Sequence, residues 1–308
     1  MEFAPIALFV FNRLNHTTRT IAALKLNTLA RESRLFIYCD GASNDSEFER
    51  VLRVRELVHA TDGFRSVTVI ERDHNLGLAA SVISGVSQLC DAFGRVIVVE
   101  DDLVTSREFL RFMNQGLELY KDDERVASIH GYTYPIAGED LPESYFLRGA
   151  DCWGWATWAR AWRHFEPDGT KLLRGLQEAR LERRFNYDGY ASYTRMLRNQ
   201  TLQRNQSWAI RWHASAFLRD MVTLYPRENL VENVGFDDSG IHCGDIDYFT
   251  NPIGTAPERL TRVQIEESEM IRSSVVLFFR TMRRRRWINF LRNPITIGIR
   301  QARRIFNF

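Results

Sequence analysis

The sequence predicts an α/β fold with a mainly parallel sheet flanked by helices, and three observations carry this prediction. Over roughly the first 125 residues, apolar runs of strand length alternate four times with helical patterns, which is typical of right-handed crossovers. Residues 96–99 (Val-Ile-Val-Val) form a continuous β-branched run, as in a strand buried on both faces. Polar residues follow these runs directly, at the edge where open α/β sheets bind their ligands.

The elements of the first half follow from apolar spacing and turn residues. Strands are predicted at 5–11, 35–39, 67–71, 95–99 and 126–130. Helices are predicted at 16–26, from Ser43 or Ser46 to 59, at 78–93 and at 108–120. Glu47 and Glu49 suit the first turn of the second helix, where the helix dipole favours negative charge.

A different composition begins after Tyr132, where proline, glycine and aromatic residues become frequent. A polar helical stretch, an apolar helix and a last strand are predicted at 172–205, 207–218 and 224–233. No repeat and no low-complexity linker interrupts the chain. We therefore expect one compact body in two halves and a tail, at 1–131, 132–265 and 266–308.

The composition is that of an ordinary globular protein, with 308 residues, 44% hydrophobic and 26% charged, and a net charge of +2. This charge is too small to indicate a nucleic-acid partner. The four cysteines are scattered without a CxxC spacing, which argues against a zinc cluster or a disulfide framework and favours a reducing compartment. Neither a signal peptide nor a membrane-spanning run is predicted, so a cytoplasmic location is expected.

The tail is strongly basic. After Glu269 no acidic residue occurs, whereas arginines are frequent. A helix is predicted to start at Asn293-Pro294, and one of its faces would be apolar, formed by Ile295, Ile299, Ala302 and Phe306. A basic amphipathic helix is typical of proteins bound to an anionic membrane surface. The alternatives are a helix packed on the body with solvated arginines and, less favoured, an RNA-binding segment.

Polar residues end the strands that the sheet would align along one edge. The acidic triplet (Glu100, Asp101 and Asp102) follows the fourth strand, and its mutual repulsion favours a hard cation, Mn²⁺ or Mg²⁺. Asp40 suits hydrogen bonds from a base or a ribose. Arg13 and Arg72 match a diphosphate in planar, bidentate geometry. Together they predict a site for a nucleoside diphosphate.

Each of these residues also has an ordinary structural explanation. The acidic triplet can be a solvated turn, Asp40 can start a turn with Gly41, and Asn75 can cap the following helix. Their joint position at strand ends favours the functional interpretation. Interpretations of the chain as an ATPase or an NAD-binding enzyme are disfavoured, because it lacks GxxxxGK[ST] and has no GxGxxG after its first strand.

The stretches Phe11-Asn12-Arg13, Asp40-Gly41 and residues 75–79, together with the acidic triplet, resemble nucleotide-sugar glycosyltransferases with the GT-A fold, especially bacterial family 2-like enzymes. The triplet is similar to the DxD-type motif of N-acetylglucosaminyltransferase I. Trp153-Gly154-Trp155 takes the place of the GLGW-type segment that follows the metal site in that enzyme, and residues 236–242 resemble its later glycine-and-histidine loop. The resemblance covers residues 5–245 and is looser in the second half.

This resemblance implies metal-dependent transfer of a sugar, from a UDP-sugar rather than a GDP- or dTDP-sugar, to a glycan or lipid-linked acceptor of surface polysaccharide synthesis. Asp102 would be the main metal ligand, and His242 would reach the metal or the diphosphate. Trp153 to Trp158 would wall the sugar site, unless they belong to the core. The implied donor-binding residues are Phe11, Asn12, Arg13, Asp40, Arg72, Asn75, Gly77, Leu78, Glu100, Asp101, Trp153, Gly154 and Trp155.

The chain departs from the related enzymes at the expected general base. They place an acid just before the tryptophan of a later helix, where this chain has Gln206-Ser207-Trp208. Asp237 and Asp151 are the leading replacements, followed by Asp238. Three alternatives stay open: a sugar-phosphate nucleotidyltransferase, a receiver-like or other binding module, and an inactive homologue that binds the donor without transfer.

Overall fold

The computed structural model describes residues 2–136, 138, 141–235 and 248–292, with side chains up to 288 in the last range. The strands are β1 (Ile6–Val10), β2 (Arg34–Cys39), β3 (Ser66–Glu71), β4 (Arg95–Glu100), β5 (Leu103–Thr105), β6 (Val126–His130), β7 (Ser144–Arg148), β8 (Trp155–Trp158), β9 (Val222–Pro226) and β10 (Val231–Asn233). The helices are α1 (Leu14–Lys25), α2 (Asp45–His59), α3 (Leu78–Phe93), α4 (Phe109–Leu119), α5 (Ala159–Trp162), α6 (Gly169–Glu178), α7 (Glu182–Phe185), α8 (Tyr193–Thr201), α9 (Trp208–Leu218) and α10 (Glu269–Arg292).

Eight strands form one sheet in the order β3-β2-β1-β4-β8-β6-β9-β7. The first four are mutually parallel, and only β7 and β8 run against the other six. A small antiparallel sheet joins β5 to β10 and continues directly from the end of β4. The predicted mainly parallel sheet flanked by helices is therefore confirmed.

Burial along the strands follows their position in the sheet. Every residue of the central strand β1 is buried, as are Val96 to Val99 of β4, because helices cover both faces there. The edge strand β3 alternates between exposed and half-buried residues instead. The apolar runs of the sequence thus identify the middle of the sheet.

Two helices illustrate how local sequence sets the boundaries of elements. Helix α3 has the bounds predicted for it: it starts after Gly77 and ends at Gly94, both with positive φ, and Gly94 donates its N–H to the Cys90 carbonyl. Helix α9 is buried on almost its whole circumference, and Ser207 caps it by accepting from the N–H of Ile210. It packs between α3, α6 and α8.

The second half differs from the prediction in several elements. The polar stretch 172–205 is not one helix but falls into α6, α7 and α8, with left-handed backbone at Arg180, Tyr187 and Asp188 where the chain turns. Strands β7 and β8 were not predicted, nor was β5 in the first half, and the expected last strand is two strands, β9 and β10. Short aromatic segments such as β8 do not distinguish a strand from a helix by period alone, because four residues hold too few repeats.

The tail begins with α10, and one face of this helix packs against the body of the protein. Ile271, Val275, Phe279 and Met282 are buried at helical spacing against the aromatic residues of the second half. Beyond this contact the helix carries exposed Arg283 to Arg286. The second tail helix predicted after Pro294 lies outside the described residues. Among the helices that the structure describes, none has the length and apolarity needed to cross a membrane.

Candidate active site

The parallel half of the sheet has a topological switch point between β1 and β4. These strands are neighbours, but the chain leaves β1 toward β2 on one side and reaches β4 on the other. Crevices outside such a point are the usual ligand sites of open α/β sheets. Phe9 pairs with Glu100 across the two strands, so Arg13 and the acidic triplet emerge side by side.

A shared ion pair joins the two strand ends. Nη2 of Arg13 donates to Oδ1 of Asp101 and, over 2.9 Å, to Oδ2 of Asp102. The hydroxyl of Thr20 in α1 donates to the Asp101 carbonyl over 2.8 Å and fixes the same loop. The structure thus brings the predicted site residue Arg13 together with Asp101 and Asp102, which lie almost ninety positions further along the chain.

One arginine does not neutralise three carboxylates. Burial raises the pKa of Asp101 to about 6, although Arg13 acts in the opposite direction. Burial and the adjacent Asp102 and Asp101 charges also raise the pKa of Glu100. The excess negative charge makes a further cation favourable in this crevice.

The acidic triplet fits a divalent cation that is shared with a substrate. Mg²⁺ and Mn²⁺ accept carboxylate oxygens, and Mg²⁺ is commonly held by one or two carboxylates plus substrate phosphates rather than by an all-protein cage. Asp102 and Glu100 are the residues that would hold it. In the described part of the chain no group of three or more His, Cys, Asp or Glu side chains converges on one point.

Asp40 organises the loop that faces this crevice. Its Oδ1 accepts the N–H groups of Gly41 and Leu76 over 3.0 and 2.8 Å, and its Oδ2 accepts that of Gly77 over 2.9 Å. Asn75 strengthens the link by donating to the Gly41 carbonyl over 2.8 Å. The direct nucleotide contact predicted for Asp40 stays a prediction. A carboxylate that accepts three N–H groups still has a free lone pair with which to accept another hydrogen bond. The structure adds a positioning role.

The other predicted donor residues line the same edge. Asn12 donates to Oε1 of Glu47 over 3.1 Å, and Phe11 before it is half-buried. The guanidinium of Arg72 lies 5.8 Å from the centre of the Tyr38 ring and 3.4 Å from the Ser84 hydroxyl. Leu78 is 50% exposed at the start of α3. These contacts leave an open rim of polar and apolar groups around the crevice.

The tryptophan segment divides into a surface part and a core part. Trp153 is half-buried, its backbone N–H donates to Nε2 of His130 over 3.0 Å, and its ring meets Tyr132 edge to face. Gly154 adopts a φ of +62°, and a Cβ there would strike Phe109 and Val231. The ring of Trp155 is completely buried and stacks on Trp208. The predicted sugar contact of the Trp155 ring is therefore wrong, whereas that of the half-buried Trp153 stays a prediction.

Asp151 lies in the loop that precedes Trp153 and is held by two tyrosines. Both Tyr134 and Tyr225 donate their hydroxyl to its Oδ2 over 2.8 Å, while Nδ1 of buried His213 lies 3.5 Å from Oδ1. The carboxylate is fixed in orientation and retains partial exposure. The sequence does not reveal that Tyr134 and Tyr225 meet at Asp151, because the two tyrosines lie far apart in the chain and tyrosines are also ordinary core residues.

The second candidate base, Asp237, and the predicted metal ligand His242 lie outside the described residues. The segment leading to them is well placed, because the Val234 N–H donates to the Asp102 carbonyl over 2.8 Å. A Cβ on Gly235 would lie 2.3 Å from Oδ2 of Asp102 and 2.9 Å from Nη1 of Arg13. Only glycine permits so close an approach to the acidic triplet.

Gln206, the residue at which an acidic general base was expected from the resemblance, also belongs to this region. Its Oε1 would lie 3.6 Å from a Cβ on Gly77, beside the loop organised by Asp40. An amide cannot accept a proton at neutral pH, so this position offers no general base.

Comparisons with known proteins give distant structural likenesses. No protein-family model and no curated protein matches the sequence. The mannosyltransferase PcManGT from Pyrobaculum calidifontis, in complex with GDP-Man and Mn²⁺, aligns with a TM-score of 0.31 and 15% identity over 43% of this chain and 36% of that one. TarS 1-349 of S. aureus in complex with UDP-GlcNAc gives 0.31 and 14% over 46% and 37%. The aligned regions span well under half of these two proteins.

Proposed function

We propose that this chain is a metal-dependent glycosyltransferase of the GT-A type that moves a sugar from a nucleotide-sugar, preferably a UDP-sugar, to a glycan or lipid-linked acceptor. A single observation carries the proposal. The acidic triplet and Arg13 flank the switch point between β1 and β4, the position at which an open α/β sheet binds a ligand. Three carboxylates and arginines at this edge suit a metal-bridged diphosphate.

The roles of the chain's residues follow from their positions. Asp40 holds the loop 75–77 so that its outer face can receive the nucleoside. Arg72 and Arg13 supply guanidinium groups to the diphosphate, which they match in bidentate geometry. A bound Mn²⁺ or Mg²⁺, held by Asp102 with Glu100, would neutralise charge on the diphosphate leaving group. Asp101 keeps Arg13 in place.

The acceptor hydroxyl needs a carboxylate that takes its proton. Asp151 is fixed by Tyr134 and Tyr225 in the loop next to Trp153, whose ring offers a stacking surface for a sugar. We assign the base to Asp151, with Asp237 as the alternative on the segment that follows Gly235.

The larger organisation extends this proposal. Residues 1–131 would bind the donor, 132–265 the acceptor, and 266–308 an anionic membrane surface. The exposed arginines 283–286 in the C-terminal half of α10 support the last role, since each basic residue near such a surface contributes about 1 kcal/mol. The enzyme would work at the cytoplasmic face of the membrane in surface polysaccharide synthesis.

Calorimetric titration tests the donor site. UDP, GDP and dTDP are titrated with and without Mn²⁺ into the wild type, Asp102→Ala and the exposed control Asp122→Ala. We expect Mn²⁺-dependent binding of one nucleotide, preferably UDP, in the wild type and the control, and its loss in Asp102→Ala. Folded wild-type protein that binds none of the three nucleotides would overturn the proposal.

A further inference from the structure

A groove rich in arginine lies beside the candidate active site, on the side where α1 and α2 begin. It encloses a volume of about 830 Å³. Its lining, here called the arginine groove, comprises Asn12, Arg13, Leu14, Asn15, His16, Thr18, Arg19, Arg50 and Arg53. Four arginines and no acidic residue line it, although the whole chain has a net charge of only +2. Positive charge is therefore concentrated at this place.

Three of the four arginines of the groove are poorly compensated by the protein, whereas Arg13 pairs with Asp101 and Asp102. Within the described part of the chain, neither Arg19 nor Arg53 takes part in an ion pair, and both are exposed. Arg50 approaches Oε1 of Glu47 only at 3.8 Å, and that carboxylate already accepts from Asn12 and Ser43. Several arginines that line one groove without a matching carboxylate favour a bound anion.

The N-terminus of helix α1 adds to the positive electrostatic potential of the groove. Its first turn contains no acidic residue, and its N-terminus points toward this edge of the sheet. Arg13 lines the groove and also contacts Asp101 and Asp102, so the groove opens onto the crevice of the candidate active site. A ligand anchored in the groove can extend to the acidic triplet.

We infer that the arginine groove binds a ligand that carries phosphate groups, through Arg19, Arg50 and Arg53, beside the donor site with which it shares Asn12 and Arg13. Guanidinium groups pair with phosphate oxygens in bidentate geometry, and several of them on two helices suit more than one phosphate. Its use for a phosphate-bearing acceptor rests on the proposed glycosyltransfer, whereas binding of the anion does not. The anion can belong to a soluble phosphorylated molecule or to a lipid headgroup.

Inorganic pyrophosphate tests the groove by itself. It is titrated in EDTA, which keeps metal away from the acidic triplet, into wild-type protein and into the triple variant Arg19→Gln, Arg50→Gln, Arg53→Gln. The matched control is Arg31→Gln, Arg65→Gln, Arg174→Gln, three exposed arginines outside the groove. We expect binding that weakens with salt and is at least about tenfold weaker in the groove variant but unchanged in the control.

Two results overturn the inference: wild-type protein that does not bind pyrophosphate, or a groove variant that binds it as well as the control variant does. If the groove variant has a lower melting temperature than the control variant, pyrophosphate binding is compared instead between the wild type and the single variants Arg19→Gln and Arg53→Gln. UDP binding in Mn²⁺ should persist in the groove variant, so failure of the donor site and failure of the groove are distinguishable.

Vesicles identify the source of the phosphate. Phosphatidylcholine vesicles are compared with vesicles containing equal parts of phosphatidylcholine and phosphatidylglycerol, for the wild type and both triple variants. Weaker binding of the anionic vesicles by the groove variant supports the groove and assigns it to a lipid headgroup, because the tail is the same in all three proteins. Equal vesicle binding, with pyrophosphate binding still lost, supports the groove and assigns it to a soluble ligand.

Discussion

The guanidinium of Arg13 ties the end of β1 to the end of β4, because its Nη2 lies 2.9 Å from Oδ2 of Asp102 and also contacts Asp101. This contact bridges the switch point of the sheet. It also holds together two neighbouring carboxylates that would otherwise repel each other. The ion pair thus contributes to both the fold and the candidate active site.

Arg13→Gln should destabilise the protein by about 2 kcal/mol, below the ~3–5 kcal/mol for a fully buried pair, because the Arg13 side chain is 21% exposed. Denaturant unfolding at neutral pH measures the loss, with Arg31→Gln as the exposed control. Mn²⁺ should stabilise the variant more than the wild type, since it replaces the missing positive charge. Unchanged stability without metal would contradict this account of the triplet.

Asp40→Asn should loosen the loop 75–77 and weaken nucleotide binding. The carboxylate accepts three backbone N–H groups, whereas an amide offers one oxygen and turns an NH₂ group toward the remaining donor. Hydrogen bonds to a charged group contribute about 1.5–3 kcal/mol, and we expect a loss of that order. Hydrogen exchange of the Leu76 and Gly77 amides measures it, with Asp122→Asn as the control. Unchanged protection of both amides would refute the positioning role.

Asp151→Asn should abolish transfer but keep nucleotide binding, if Asp151 is the base. Tyr225→Phe removes one of the two hydroxyls that orient the carboxylate and should lower kcat about tenfold with little change in the KM for the donor. Product formation from the nucleotide-sugar is the measurement. A fully active Asp151→Asn would move the base to Asp237, which Asp237→Asn then tests.

Protonation of His130 should make the protein less stable in acid. Burial lowers the pKa of this imidazole to about 4, whereas an unfolded histidine titrates near 6.5. As the pH falls below about 6.5, the unfolded state takes up a proton that the folded state refuses, so stability is lost progressively toward pH 4, by at most about 3 kcal/mol. Burial lowers the pKa of His213 as well, which acts in the same direction.

His130→Gln should flatten this pH dependence, because glutamine does not titrate and its oxygen can accept the Trp153 N–H that Nε2 accepts in the wild type. Urea unfolding between pH 4 and 7 provides the curves, and the exposed His74→Gln serves as the control. Equal slopes for the wild type and His130→Gln would show that another group causes the acid sensitivity.

Much of the fold was predictable from local sequence. Apolar runs identify β1 and the middle of β4, because a strand covered by helices on both faces is apolar along its buried length. Gly77 and Gly94 delimit α3 because positive φ favours glycine. Residues that directly follow these strands are placed at the carboxyl edge by strand direction alone, which brings Arg13, Asp40 and the acidic triplet into the prediction.

Only the tertiary structure decided what those residues contact. The sequence does not reveal that Asp40 holds the loop of Gly77, that Trp155 is core while Trp153 is half-exposed, or that Tyr134 and Tyr225 converge on Asp151. These relationships join positions far apart in the chain, and the same residue types serve equally well in a core. Periodicity encodes which face of an element is buried, whereas partners across the sheet depend on strand order, which only packing of the whole chain settles.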